Sequence, residues 1–237
     1  LVGLVGSEMC IRDRSGAVLL ALLVVLRGGR VPLLRRQQGL GAVTLAIYII
    51  GFSLAYLTLD AGLGALILFG VVQIAMFAHG ALFGVTPTPR KLLGAGVAFA
   101  GLVLVLWPSQ GVAVDPLGAV LMIAAGLGWA AYTIIGRGAS DPLAGSAGNF
   151  VICTPLVAIL LLVQPTFYTP TGIALGVVCG AVTSGLGYAL WYAVLPRLAQ
   201  ATAAVVQLSV PVIAILAGAL LLAEPLGAKV IIATALV

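Results

Sequence analysis

Between Leu45 and Val85 the chain reads LAIYIIGFSLAYLTLDAGLGALILFGVVQIAMFAHGALFGV, forty-one residues with one carboxylate, Asp60, and one histidine, His79. Such a run leaves almost no surface that water would favour. It suits two helices joined at the LDAG turn, each crossing ~30 Å of hydrocarbon in about 20 residues. Apolar runs near that length, broken by short polar punctuation, fill nearly all of the 237-residue chain. A transmembrane β-barrel needs segments of ~10 residues that alternate apolar and polar, and the sequence has none. Only 7% of residues are charged and 62% are hydrophobic, against about 25% charged in soluble domains. The sequence predicts an all-α polytopic membrane protein.

The apolar segments fall at 15–26, 38–59, 62–84, 92–107, 117–136, 145–164, 171–195, 199–223 and 227–237, separated by DAG, TPTPRK, PSQG, SDP, QPTFYTPTG and EPLG. About nine helices are expected, with the first and last truncated. Twelve residues before Arg27 cover only ~18 Å at 1.5 Å per residue. If every later segment crosses once, Arg27, Arg30, Arg35, Arg36, Arg90, Lys91, Arg137 and Arg197 share one side. The other side holds Lys229 with Asp60, Asp115 and Glu224. The excess of arginine and lysine assigns the first side to the cytoplasm.

The same asymmetry explains the net charge of +5 without a nucleic-acid partner; the expected surroundings are a lipid bilayer. Of three cysteines, Cys153 and Cys179 lie in apolar runs and Cys10 near the start, with no CxxC pair. A single histidine and the absence of metal-ligand spacing point to no metal and no cofactor.

Residues 7–16, SEMCIRDRSG, hold four charges at Glu8, Arg12, Asp13 and Arg14. Extending the first segment to full length would carry Arg12, Asp13 and Arg14 into the membrane or to its far edge, at about 2.5–3.5 kcal/mol each near a helix centre. SEMCIRDR resembles the translation of sequencing-adapter read-through. Residues 1–14 are therefore read as foreign, with few contacts to the bundle, and the authentic sequence as beginning near Ser15 or Gly16.

The tripeptide Val-Val-Gln occurs at 71–73 and again at 205–207, an offset of 134 that also aligns Ala55 with Ala189 and Ala65 with Ala199. The loop at Asp60 falls outside while its counterpart at Arg197 falls inside. Equivalent loops on opposite sides are what an inverted-topology repeat requires. The stretches DAGLGALILFGVVQ (60–73), GWAAYTIIGRGA (128–139) and LGYALWYAVLPRLAQATAAVVQLSVPVIAILAGALLLAEPLGA (186–228) resemble the EamA-like branch of the drug/metabolite transporter superfamily. That resemblance implies ten helices as two inverted five-helix repeats. This chain would then hold helices 2–5 at 15–108 and helices 6–10 at 116–237. It further implies a non-enzymatic permease of a bacterial inner membrane. Such a permease moves a small organic solute, an amino acid, metabolite or drug, by alternating-access efflux.

Polar residues at membrane depth need a partner or a wet cavity. Gln73 and Gln207 lie mid-segment at repeat-related positions, as substrate-facing amides or as interhelical hydrogen bonds. Ser184, Tyr188 and Trp191 follow at i, i+4 and i+7, one face of a regular helix, while Gly176, Gly180 and Ser184 form a small-residue seam on that side. Trp129 and Tyr132 at i, i+3 match the WAxY pattern of the family. These seven residues are the candidate substrate contacts, expected to converge near the midplane. His79 is a candidate for proton coupling, or a packed neutral side chain; no Asp or Glu lies mid-segment to serve as a carboxylate relay. Pro211 is expected to kink the helix just after Gln207. The sequence lacks paired carboxylates, a Ser/His constellation and large loops. A membrane-embedded enzyme and a receptor-like or structural protein are therefore the weaker readings, and its oligomeric state is not readable.

Overall fold

A computed structural model describes residues 4–59, 61–83, 88–106, 114–158, 169–222 and 232, and among these every regular element is helical. The helices are α1 (Leu4–Leu26), α2 (Arg36–Ala55), α3 (Ala61–Leu82), α4 (Pro89–Leu106), α5 (Pro116–Gly136) and α6 (Pro142–Val157). They continue as α7 (Pro170–Arg197), α8 (Gln200–Gln207) and α9 (Ser209–Leu222). The segment expected at 227–237 lies outside the described residues apart from position 232.

Three of the helices start with one device. Asp115, Asp141 and Thr169 each precede a proline, and each side chain accepts the backbone N–H three residues on: Gly118 at 2.7 Å, Ala144 at 3.0 Å and Gly172 at 3.0 Å. The side-chain oxygen satisfies a helix-end donor, and proline at the first position gives up an N–H that had no partner to lose. The Asp115 carboxylate also accepts from the Thr58 hydroxyl at 2.7 Å. That hydroxyl first, and the Gly118 N–H second, hold its pKa below the ordinary aspartate value.

Two helices depart from the regular form. α7 is α-helical to Cys179, π-helical over Gly180–Leu186, α-helical again over Gly187–Val194, and ends in a 3₁₀ turn at Leu195–Arg197. The segment expected as one helix at 199–223 is broken at Leu208 into α8 and α9. Pro211 has no N–H for the Gln207 carbonyl, so the i→i−4 ladder is interrupted where the proline dictates.

α1 corrects the expectation for the first residues. It starts at Leu4 rather than near Ser15 and is 23 residues long, so Ile11–Arg14 continue the helix. Arg12 Nη2 pairs with Asp13 Oδ1 at 3.0 Å, and the Arg12 carbonyl lies against Gly180 of α7. Propagating a formed helix costs little per residue, and a glycine opposite allows the approach. The pair is incomplete, since Asp13 Oδ2 is buried without a partner among the described residues.

α2 and α5 form the most extensive interface, through glycines. A Cβ on Gly128 would sit 2.8 Å from the Thr44 carbonyl oxygen and 2.9 Å from the Tyr48 nitrogen, and one on Gly51 2.7 Å from the Leu121 oxygen. The core around Leu45, Ile49, Met76, Tyr132, Phe150 and Tyr192 is fully packed. Contacts of α1 with α6 and of α3 with α8 join the two halves, and α1 against α7 has its counterpart in α2 against α6. These pairings map onto one another when first-half helices exchange with second-half ones.

The outer surface is apolar: Val120, Ile123 and Leu127 lie exposed along one side of α5, a stripe that in water would be an association hazard. Among the described residues four helices, Arg36–Ala55, Gly62–Leu82, Pro116–Gly136 and Pro170–Arg197, are long and apolar enough to span a bilayer. The two ends of the bundle differ. Gln37 Nε2 donates to the Ile135 carbonyl (3.1 Å) and Arg137 Nη2 to that of Leu198 (2.8 Å), so Arg35, Arg137 and Arg197 share an end. The Thr58–Asp115 contact marks the other. Asp60 and Glu224 lie outside the described residues.

Candidate aromatic cavity

α2, α3, α5, α7, α8 and α9 enclose a cavity of about 430 Å³, lined by Tyr48, Leu68, Phe69, Trp129, Thr183, Gly187, Tyr188, Trp191, Val206, Gln207, Ser209 and Val210. Its volume lies within the range usual for small-molecule sites, ~300–1,000 Å³. Aromatic rings form most of one wall. Trp129 meets Tyr48 at 5.0 Å between centroids and Tyr188 edge-on at 5.5 Å, and Tyr188 is held from behind by Phe150 at 4.9 Å. Tilted and edge-to-face contacts at such distances are the favoured ones, so the rings brace one another.

The polar groups on this wall divide into saturated and unsaturated. Trp129 Nε1 donates to Gln207 Oε1. Gln207 Nε2 donates to the Ala203 carbonyl at 3.1 Å and lies 3.5 Å from Met76 Sδ. The amide is therefore used up inside the protein. Trp191 Nε1 is buried and has no partner among the described residues, and that indole borders the cavity. A buried unpaired donor costs about 1–3 kcal/mol, a penalty that a ligand acceptor would relieve.

The sequence-derived candidates separate accordingly. Gln207, Trp129, Tyr188 and Trp191 line the cavity. Tyr132 lies behind them, fully buried; its backbone carbonyl accepts from Tyr192 Oη at 3.2 Å, and its hydroxyl is 3.5 Å from Asn149 Nδ2. Ser184 turns away and packs against α1, where a Cβ on Gly16 would lie 3.1 Å from its own Cβ. The π turn over Gly180–Leu186 causes this. A wider turn shifts the register, so Thr183 and Gly187 take the place that a regular helix would give Ser184.

Gln73 does not join Gln207. It is buried, neither end of its amide has a partner among the described residues, and it lines a separate apolar groove of about 270 Å³ between α3 and α4. His79 lies in the last turn of α3, stacked on Phe83 at 4.4 Å. Its Nδ1 is 3.0 Å from Gln200 Nε2. Gln200 also donates to the Met76 carbonyl at 2.6 Å and accepts from Arg137 Nη1 at 3.4 Å. Seven residues separate Gln200 from Gln207, ~10 Å along the helix axis, so this network lies between the cavity and the arginine-rich end.

Tyr48, Thr183 and the Arg137–Gln200 pair are site features that the sequence reading missed. Tyr48, Phe52 and Tyr56 recur every four residues, an aromatic ridge that marks a helix face and was the available signal. Thr183 had none, because a π turn leaves no mark in composition.

The family model for EamA-like transporters matches residues 116–237. An uncharacterised protein of Pseudomonas aeruginosa is 47% identical over 227 residues, covering 94% of this chain and 78% of its own. An uncharacterised transporter of Archaeoglobus fulgidus is 26% identical over 235 residues, covering 92% and 80%. A solved crystal structure superposes with a TM-score of 0.84 at 18% identity, over 99% of this chain and 85% of that one, a likeness of fold. The apolar spans and these matches agree: the chain is a multi-pass integral membrane protein of the EamA-like transporter family.

Proposed function

We propose that this transporter moves a small, flat or amphipathic organic solute through the aromatic cavity by alternating access, outward from the cytoplasm of a bacterial cell. The observation that supports this is the pairing of an aromatic wall with a buried unsatisfied donor, Trp191 Nε1. Rings offer stacking area to a planar solute, and the indole N–H selects one carrying a carbonyl or carboxylate oxygen. Gln207 positions Trp129 in this reading and does not itself bind the solute. Gln73 stands outside the path, and His79 serves the closing network with Gln200 and Arg137.

The test uses the two cavity tryptophans as reporters. In a Trp107→Phe background, solutes that change the remaining tryptophan fluorescence are assayed for flux in proteoliposomes. Trp191→Phe keeps an aromatic ring, though a smaller one, and removes the donor, so apparent affinity should fall roughly 5- to 150-fold, the equivalent of about 1–3 kcal/mol. Unchanged affinity and flux in that variant would remove the indole from the site.

Residues 1–14 are proposed to be foreign on the likeness of SEMCIRDR to adapter read-through. Resequencing the locus should return a different stretch before Ser15; recovery of the same codons would end the proposal.

A further inference from the structure

At the arginine-rich end a second, polar pocket of about 180 Å³ lies between the α1–α2 connection and the start of α6. We propose that it holds the zwitterionic headgroup of an ethanolamine phospholipid, phosphate on Arg30 and Arg35, primary ammonium on Asp141 and Gln38.

Four observations carry the assignment. Arg30 and Arg35 both border the pocket, and neither forms an ion pair among the described residues. Two arginines bordering one small space suit a phosphate, which guanidinium groups grip through several parallel N–H donors. Asp141 borders the same pocket, and its Oδ1 caps α6, which leaves its second oxygen and its charge for a cation. Gln38 borders the same pocket, is 95% buried at 5% exposure, and its Oε1 is an acceptor without a partner among the described residues. An acceptor left bare in a buried position costs free energy, and an N–H donor on the ligand would recover it. A simple anion would satisfy the arginines and leave Gln38 Oε1 and Asp141 facing nothing. A zwitterion offers a partner to each of these four side chains.

The surroundings favour a lipid over a soluble zwitterion. Within the connection that carries both arginines, VPLLRR, Leu33 is 46% exposed and Leu34 fully exposed. Apolar residues presented beside arginines are the pattern of a segment seated at the headgroup level, with its leucines in the acyl boundary. Leu22, Val25 and Leu26, in the last turns of α1 ahead of this connection, are exposed as well, adding apolar surface for the acyl chains. The inference is independent of the solute that the central cavity takes, and it stands if transport is never observed.

The full-length protein, purified in detergent, is titrated with short-chain phosphatidylethanolamine, phosphatidylcholine and phosphatidylglycerol of identical chains, and with free glycerophosphoethanolamine. Binding is read by native mass spectrometry and by the shift in unfolding temperature. Phosphatidylethanolamine should bind at least about fivefold tighter than the other two lipids, since a quaternary ammonium has no N–H to donate and glycerol carries no cation. The free headgroup should bind more weakly than the lipid. Arg30→Gln with Arg35→Gln, and separately Asp141→Asn, which retains a capping oxygen, should each weaken phosphatidylethanolamine about tenfold. Arg36→Gln, outside the pocket, should not. Equal binding of the three lipids, preference for phosphatidylglycerol, or a free headgroup as tight as the lipid would each overturn the assignment. The lipid comparison on the unaltered protein decides even if a variant fails to fold.

Discussion

The indole N–H of Trp129 on α5 is bonded to the side-chain oxygen of Gln207 on α8, 78 residues further along the chain. This bond ties the aromatic wall to the helix that Pro211 interrupts. Gln207→Ala would leave the indole donor unpaired, and Trp129→Phe would remove it. Interhelical hydrogen bonds in membrane proteins average about 0.6 kcal/mol in double-mutant cycles, with a maximum near 1.7. The double variant should therefore lose less stability than the two single losses combined, by an amount in that range. Strict additivity in detergent unfolding would show that the bond contributes nothing.

Gln200 offers a larger effect. It serves the Met76 carbonyl, Arg137 and His79 together and is 4% exposed. Gln200→Leu keeps the volume and strips all three of a partner. Each unsatisfied buried group costs about 1–3 kcal/mol, so the unfolding temperature should fall by at least about 2–4 °C. An unchanged melting curve would mean that water replaces the amide and that the network closes nothing.

Gly136 packs directly beneath the Tyr192 ring. A Cβ there would lie 1.8 Å from Tyr192 Cε1, and the ring is 2% exposed with its hydroxyl bonded to the Tyr132 carbonyl. It cannot move without breaking that bond. Gly136→Ala should destabilise by about 1–3 kcal/mol, the usual cost of overpacking, and Gly136→Ala with Tyr192→Leu should recover part of it. Thermal unfolding of the three variants checks this; a fully stable Gly136→Ala would contradict the packing.

Asp115 gives a pH dependence whose sign is fixed by its pKa, held below the ordinary value by Thr58 and Gly118. A carboxyl depressed on folding contributes stability above the unfolded aspartate pKa of about 3.9, and that contribution is lost as pH falls through the lower, folded value. Thr58→Val and Asp115→Asn should both flatten the acid limb of melting temperature against pH. Identical acid limbs in the three proteins would show that the capping carboxylate is not responsible.

Much of this was legible in the chain. The Asp-Pro and Thr-Pro pairs marked three helix starts, the arginines marked one end, and the i, i+3 spacing of Trp129 and Tyr132 brought an aromatic pair to one side. Trp191 and Tyr188 keep their shared face because Gly187–Val194 returns to a regular helix beyond the π turn. Ser184 was lost to that turn, which packs against Gly16 and Leu19 of α1. Gln73 and Gln207 share a sequence offset, yet an offset states topology and says nothing about which side of a helix faces which cavity. The Arg137–Gln200 contact joins two connections distant in sequence, and only tertiary structure makes them neighbours.

Alternating access requires that the aromatic cavity be reached from both membrane faces in turn. Thr183 borders that cavity, so Thr183→Cys, in a background with Cys10, Cys153 and Cys179 changed to serine, reports on it directly. The measurement is labelling by a membrane-impermeant thiol reagent in right-side-out and inside-out vesicles. Alternating access predicts labelling from both faces, with the balance shifted by any solute that changes the cavity tryptophan fluorescence. Labelling from neither face, or from one face whatever is added, would contradict it.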